Sequence, residues 1–227
     1  MTDRARIVDV RVPSKADGLV LVLHGGASRQ GSPMVSPTQL SVLRMVPIAR
    51  RLAVAGRGRL AVCRLLNSTR GWDVSHTPAQ DAAWALDRLR ERLGRDLPVA
   101  LVGHSLGGRA AILAAEQPDV RSVVALNPWV EPGDADGLDL SGRRVLVVHG
   151  DHDRIASPGR SAHVAETLRR TADAVGYVTV ETGKHAMLRR GRTFDRVATD
   201  FVTATLLGRP ARPPVSQVLA GEPLVEV

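Results

Sequence analysis

The sequence contains a single cysteine and few aromatic residues. With Cys63 as the only cysteine, no internal disulfide can form, which is typical of proteins from reducing compartments. This cysteine stands in the apolar run 60–66, which favours a buried and unreactive thiol. Aromatic residues make up only 3% of the 227 residues, so we expect a core built mainly of Val, Leu, Ile and Ala.

Long apolar segments are also missing. No run approaches the roughly 20 residues that span a bilayer. The first six residues lack the apolar stretch that a secretory signal would have. We therefore expect a cytoplasmic protein with no membrane partner, and the length suits one domain with a substantial core.

Lysine is scarce although the chain is basic, with a formal net charge of +8. Lys15 and Lys184 are the only lysines, and the arginines are spread along the chain. No nucleic-acid-binding motif accompanies them, so we expect no nucleic-acid partner. A weak preference for anionic substrates or surfaces stays open.

Strand-like apolar runs alternate with helical spacings along most of the chain. Strands are predicted at 5–12, 19–23, 60–66, 99–102, 122–126, 144–148 and 177–180, and helices at 41–55, 78–93, 109–117, 158–171 and 193–207. This alternation predicts an α/β fold, with a mostly parallel twisted sheet flanked by helices on both faces. We expect one domain over 1–208, followed by a tail over 209–227 that shows no clear pattern. Disorder, packing on the body and a dimer contact are all open for that tail.

A Gly-x-Ser-x-Gly motif, Gly103-His104-Ser105-Leu106-Gly107, lies between a predicted strand and a predicted helix. In that context the turn is strained and presents its central side chain at a helix N-terminus. Glycine is expected two residues before and after the serine because the backbone approaches closely there. The motif indicates that Ser105 is a nucleophile; the alternative is a glycine-rich turn with a surface serine.

Polar residues follow several of the predicted strands. They are His24, Ser105, Asn127, Asp153 and His185. In a parallel sheet, sites lie beyond the carboxyl ends of the strands, so these residues are expected to converge. A serine hydroxyl needs a base to take its proton, and the base needs a partner to orient it. The chain offers an acid and then a histidine downstream of Ser105.

Four segments together resemble the α/β-hydrolase family of serine hydrolases, in the order that this family shows. They are Leu23-His24-Gly25-Gly26, Gly103-His104-Ser105-Leu106-Gly107-Gly108, His149-Gly150-Asp151-His152-Asp153-Arg154-Ile155 and Gly183-Lys184-His185. The resemblance implies an α/β-hydrolase domain with Ser105 as nucleophile, Asp153 as orienting acid and His185 as general base. It also implies an oxyanion hole formed by the N–H of Leu106 and that of Gly26 or Ala27.

Other residues compete for two of these roles. Asp151 is the alternative acid, although Asp153 occupies the position, three residues after Gly150, where the family has its acid. His185 follows the last predicted strand, and Gly183 gives its turn freedom. The alternatives for the base are His149, His152 and His163.

The sequence says little about the substrate. The segment 127–143 is too short for a helical lid domain, so we expect an open site. Candidate pocket walls are the loop 28–39, Trp72 and Trp129, although both tryptophans are equally consistent with packing. His24 is a further candidate for the substrate site, but bracing of its own loop is the stronger reading.

An open site favours a carboxylesterase acting on small soluble esters. The alternatives are a thioesterase, an amidase or an acyltransferase with the same triad, and a non-catalytic binding member of the fold. The expected partner is a small-molecule acyl substrate. We expect no cofactor and no metal, since the histidines lack ligand spacing and Cys63 stands alone.

Overall fold

The computed structural model describes residues 5–26 and 35–227, which form one eight-stranded sheet covered by six α-helices. The strands are β1 (Arg6–Arg11), β2 (Gly18–Leu23), β3 (Leu60–Leu66), β4 (Val99–His104), β5 (Val120–Leu126), β6 (Arg144–Gly150), β7 (Ala174–Val180) and β8 (Leu224–Glu226). The helices are α1 (Leu40–Ala55), α2 (Thr77–Leu93), α3 (Leu106–Leu113), α4 (Pro158–Leu168), α5 (Gly191–Leu207) and α6 (Val215–Leu219).

The strand order is β1-β3-β2-β4-β5-β6-β7-β8. β1 runs antiparallel to β3, and every other pair is parallel. Every residue of β2 and β4 is buried. Strands that are covered on both faces consist of continuous apolar runs. For this reason the sequence pattern predicted β2 and β4 well. The predicted mostly parallel sheet with helices on both faces is confirmed.

Two large apolar clusters fill the space between the sheet and its helices. One face packs against α2, α3 and α4, and the other face packs against α1, α5 and α6. Both phenylalanines, Phe194 and Phe201, lie fully buried on α5, and the remaining core side chains are almost all aliphatic. Within the described residues, no helix has the length and apolarity needed to cross a bilayer.

The segment 209–227 packs on the body of the protein. Val215 and Val218 of α6 are buried in the core, and β8 pairs with residues 177–179 of β7. A Cβ atom at Gly176 of β7 would lie 2.0 Å from the Val218 side chain, so only glycine leaves room for α6. Of the three possibilities left open for this segment, packing on the body is the one observed.

Two other segments bear on access to the sheet's carboxyl edge. Residues 127–143 contain one short 3₁₀ helix, Pro132–Ala135, and no lid domain, as predicted. Most of the loop 28–39, which was predicted to form a pocket wall, lies outside the described residues. The predicted helix over 109–117 begins earlier and ends as α3 at Leu113.

The Cys63 thiol is expected to be unreactive in the folded protein. It is fully buried on β3, and Sγ donates to Asp9 Oδ1 at 3.4 Å. Burial, helped by the Asp9 carboxylate, raises the thiol pKa to about 12. At pH 8 the thiolate fraction is then about one in 10⁴, and only the thiolate is nucleophilic.

A disulfide reagent such as 5,5′-dithiobis(2-nitrobenzoate) measures this directly. We expect no release of thionitrobenzoate from the native chain at pH 8, and one equivalent from the same sample in 8 M urea, where burial is lost. Release of a full equivalent within minutes from folded protein would contradict the prediction.

Candidate active site

The turn between β4 and α3 holds Ser105 in a strained backbone conformation. Its φ of 55° and ψ of −120° are rarely adopted by residues other than glycine, and such strain is concentrated at functional sites. The Ser105 N–H donates to the carbonyl of Leu126 at 3.0 Å. The Ser105 carbonyl accepts from the N–H groups of Gly108, Arg109 and Trp129. These bonds hold the turn in place between β5 and the start of α3.

The two glycines of the motif allow this turn to pack backbone against backbone. A Cβ at Gly103 would lie 2.0 Å from the carbonyl oxygen of Gly107. A Cβ at Gly107 would lie 2.6 Å from the carbonyl oxygens of Leu23 and His24 on the neighbouring strand. Both distances are far inside van der Waals contact, so the close approach expected from the sequence is present.

The structure brings together Ser105, His185 and Asp153, which the sequence separates by up to 80 residues. His185 Nε2 lies 3.0 Å from Ser105 Oγ, and His185 Nδ1 lies 2.7 Å from Asp153 Oδ2. With its proton on Nδ1, the imidazole donates to the carboxylate and accepts from the serine hydroxyl. The three residues follow β4, β6 and β7, whose carboxyl ends meet at one edge of the sheet.

Asp153 is held as a buried anion. Its Oδ1 accepts from the N–H groups of Ile155 at 2.8 Å and Ala156 at 3.0 Å. Burial by itself would raise the pKa of this carboxyl, but the imidazoles of His149 and His185 and the two backbone donors lower the pKa overall. Asp151, the competing acid, is exposed. The carboxylate facing His185 is therefore that of Asp153.

A second imidazole, that of His149, also lies beside Asp153. The sequence did not predict this contact. His149 Nε2 lies 3.3 Å from Asp153 Oδ2, and its Nδ1 lies 2.7 Å from Ser161 Oγ. Tyr177 Oη lies 3.1 Å from the same serine hydroxyl. His149 thus contacts the Asp153 carboxylate and connects it to the hydroxyl of Ser161. The two other histidines considered for the base, His152 and His163, are both exposed.

Two further polar side chains hold the loop that carries His185. Asn127 donates through Nδ2 to the carbonyls of Lys184 and His185, at 3.1 Å each. Its Oδ1 accepts from the Gly150 N–H at 2.8 Å, so one amide ties the ends of β5, β6 and β7 together. His104 Nε2 lies 2.8 Å from the His185 carbonyl oxygen. Burial, together with the neighbouring His185, lowers the pKa of His104 to about 3, so its ring is a neutral donor.

The predicted oxyanion residues lie on both sides of Ser105. Leu106 is the first residue of α3, and the first N–H groups of a helix have no partner within it. Gly25 and Gly26 face Ser105 from the end of β2. A Cβ at Gly26 would lie 2.1 Å from the Arg70 carbonyl oxygen, so this loop also needs glycine. Ala27, the alternative donor, lies outside the described residues.

His24 braces this loop from inside the protein. It is 2% exposed, its Nδ1 lies 2.6 Å from the Gly25 carbonyl oxygen, and its Nε2 accepts from the Asn67 N–H at 3.2 Å. Burial lowers its pKa, which keeps the ring neutral. His24 does not line the cleft beside Ser105 in the described part of the chain, which matches the bracing role rather than substrate contact.

A cleft of about 480 Å³ opens beside Ser105 and His185. Its outer wall comes from α1 and from the loop before α5, and it is mainly apolar. The apolar wall residues are Leu40, Leu43, Pro47 and Leu188. Ser41 and Arg44 also line it, and Arg44 is paired with Asp195 at 3.3 Å. All three leucines are exposed, with Leu40 85% and Leu188 83% accessible. Exposed leucines grouped at a cleft are typical of a binding surface for an apolar group.

Trp72 and Trp129, which the sequence left open between pocket walls and packing, flank Arg109. The Arg109 guanidinium lies 4.3 Å from the centroid of Trp72 and 5.4 Å from that of Trp129. The same group donates to Asp134 Oδ1 at 2.7 Å, and both partners of this ion pair are buried. Neither tryptophan is among the described residues that line the cleft. Their contacts fix α3 behind the nucleophile turn.

Comparison with known proteins agrees with this architecture. A family model described as the alpha/beta hydrolase fold matches residues 65–141, which include the Ser105 turn. The sequence matches no curated protein. Among the residues described, no group of three or more His, Cys, Asp or Glu side chains is arranged to hold a metal ion.

Several solved structures share the fold at low sequence identity. Est1E from Butyrivibrio proteoclasticus superposes with a TM-score of 0.62 at 16% identity, covering 89% of this chain and 94% of its own. An esterase from the archaeon Pyrobaculum calidifontis gives 0.61 at 18% identity, covering 90% and 81%. A monoacylglycerol lipase from Paleococcus ferrophilus gives 0.60 at 16% identity, covering 90% and 100%. These comparisons confirm the predicted fold: the chain has the α/β-hydrolase fold.

Proposed function

We propose that this protein is a serine hydrolase that cleaves a small carboxylic ester through an acyl-enzyme. The observation that carries the proposal is the continuous contact from Ser105 through His185 to Asp153, at 3.0 and 2.7 Å, at the floor of an open cleft. A hydroxyl, an imidazole and a carboxylate in this order form the arrangement that activates serine nucleophiles on several unrelated folds.

In the proposed reaction, Ser105 Oγ attacks the ester carbonyl while His185 Nε2 takes the hydroxyl proton. Asp153 holds the ring in the required tautomer and stabilises the imidazolium that forms. His185 then gives the proton to the departing alcohol. A water molecule, deprotonated by the same ring, releases the acid and restores the serine.

The negative oxygen of the tetrahedral intermediate needs fixed donors. The N–H groups of Leu106 and Gly26 are the donors we propose, with Ala27 as the alternative to Gly26. Loss of one such donor typically costs about 10²–10³ in rate. Since the donors are backbone groups rather than mobile side chains, they need little reorganisation as the charge develops.

The shape of the site supports a small ester as substrate. The cleft volume of about 480 Å³ lies within the range of sites that enclose small molecules, and its walls are mainly apolar. Residues 127–143 supply no lid domain over the cleft. Est1E and the Pyrobaculum protein share this fold, and the latter is an esterase by name.

An active-site phosphonate tests the proposal. Incubation with a fluorophosphonate is expected to add one phosphonyl group, located on Ser105 by peptide mass spectrometry, because only an activated serine reacts readily. The Ser105→Ala variant is expected to take up none. The matched control, Ser75→Ala, removes an exposed serine and is expected to label like the wild type. A folded wild-type protein that stays unlabelled would refute the proposal.

A further inference from the structure

A second concavity, of about 380 Å³, lies against His185 and is chemically unlike the apolar cleft. We call it the basic groove, and its side chains come from the loops that follow β6 and β7. They are His152, Arg154, Ile155, Lys184 and Arg189, together with His185 itself. Two loops that are distant in sequence thus bring several cationic side chains close together.

The cations of the basic groove have no anionic partner in the described part of the chain. Arg154, Lys184 and Arg189 are exposed, and none forms an ion pair with a described carboxylate. The nearby acids in sequence, Asp151 and Glu181, are not among the lining residues. Unpaired like charges around a concave surface create a positive potential that attracts anions.

The cleft and the basic groove contact different parts of the proposed machinery. The cleft contains Ser105, Gly25 and Gly26, where the ester carbonyl would be attacked and held. Of the three proposed catalytic residues, the basic groove contacts only His185. The departing alcohol is the part of the substrate that must lie at His185, because it takes its proton from that ring.

We propose that the substrate of this protein is an ester of an apolar acid with an alcohol or phenol that carries a carboxylate or phosphate. The apolar acyl group occupies the cleft, and the anionic leaving group lies in the basic groove. This proposal rests on the proposed hydrolase function and specifies its substrate class. Hydrolysis consumes one water, breaks the acyl C–O bond, and yields the acid and the anionic alcohol.

Two esters whose leaving groups differ in charge test this proposal. They are 3-(butyryloxy)benzoate and its methyl ester, which share the acyl group and the position of the leaving oxygen. At low ionic strength, kcat/KM for the anionic ester is expected to exceed that for the neutral ester by about tenfold or more. At about 0.5 M NaCl the preference is expected to shrink severalfold, since salt screens exposed charges.

Charge-neutralising variants locate the effect. Arg154→Gln, Lys184→Gln and Arg189→Gln combined are expected to reduce the ratio of anionic to neutral kcat/KM by at least about fivefold. The control combines Lys15→Gln, Arg57→Gln and Arg170→Gln. It removes the same charge from exposed residues near the amino ends of the strands, away from the site. Its ratio is expected to equal that of the wild type.

The outcomes separate the two proposals. Ser105-dependent cleavage of the neutral ester with no preference for the anionic one overturns the proposal that the basic groove binds an anionic leaving group. It leaves the hydrolase proposal standing. An equal fall of this kcat/KM ratio in both triple variants also overturns the proposed role of the groove, since the net charge of the protein would then explain the preference. Failure to cleave either ester overturns the hydrolase proposal, and the substrate class with it.

Discussion

Replacing Ser105 with alanine is expected to lower kcat/KM for a butyrate ester by about 10⁴–10⁶-fold. The substitution removes the atom that attacks the carbonyl, so no acyl-enzyme forms. The residual rate would come from the oxyanion donors and from binding alone. Steady-state hydrolysis of the neutral ester, followed by release of the phenol, measures the loss.

The fold should survive this substitution. Ser105 is held by its backbone, through bonds to Leu126, Gly108, Arg109 and Trp129, while its Oγ contacts His185. Circular dichroism and thermal melting are therefore expected to match the wild type closely. The Ser75→Ala control is expected to keep full activity. A Ser105→Ala protein with more than about 1% of wild-type kcat/KM would show that another group attacks the ester.

Replacing Asp153 with asparagine is expected to lower kcat by about 10⁴-fold, as the same change does in serine proteases. The carboxylate accepts a hydrogen bond from His185 Nδ1 and so keeps the proton off Nε2. An asparagine amide can donate toward Nδ1, which favours the other tautomer and leaves Nε2 unable to accept the serine proton. Hydrolysis rates at saturating ester report this effect.

The neighbouring carboxylate provides a matched control for the Asp153 variant. Asp151 is exposed and lies two residues away, so Asp151→Asn removes the same charge from the same loop. Its kcat is expected to stay within about twofold of the wild type. A large loss in Asp151→Asn together with an active Asp153→Asn would reverse the assignment of the acid.

The pKa of Asp153 also gives a dependence of stability on pH. Because the folded-state pKa is lowered, the ionised carboxylate stabilises the fold at pH values above its ordinary value near 4. This contribution falls as the pH drops below that value toward the folded pKa. The difference in Tm between wild type and Asp153→Asn is therefore expected to be larger at pH 6 than at pH 3.

The parts of the fold that were predictable are those with strong local signals. β2 and β4 are buried on both faces and appear as unbroken apolar runs in the sequence. Their predicted ends therefore lie within two residues of the observed ends. Glycine and proline mark the ends of the long helices. Because parallel strands end at one edge, Ser105, Asp153 and His185 were placed together from their positions after strands, and the structure brings them into contact.

Other features depend on tertiary contacts that leave no local pattern. α6 has five residues and β8 has three, too few to show a period. His149 was one of the alternatives for the general base, and only the fold shows that it lies 3.3 Å from Asp153. Trp72 and Trp129 carry no mark that distinguishes a pocket wall from a partner of Arg109.

The short strand β8 determines how much of one sheet edge is open to another chain. An uncovered sheet edge offers a row of free N–H and C=O groups to which another chain can add a strand. β8 covers part of the seven-residue strand β7 and presents only three residues in its place, with the exposed Glu226 among them. At the other edge, β1 begins and ends with exposed arginines, Arg6 and Arg11. Both edges therefore resist the strand addition that leads to aggregation.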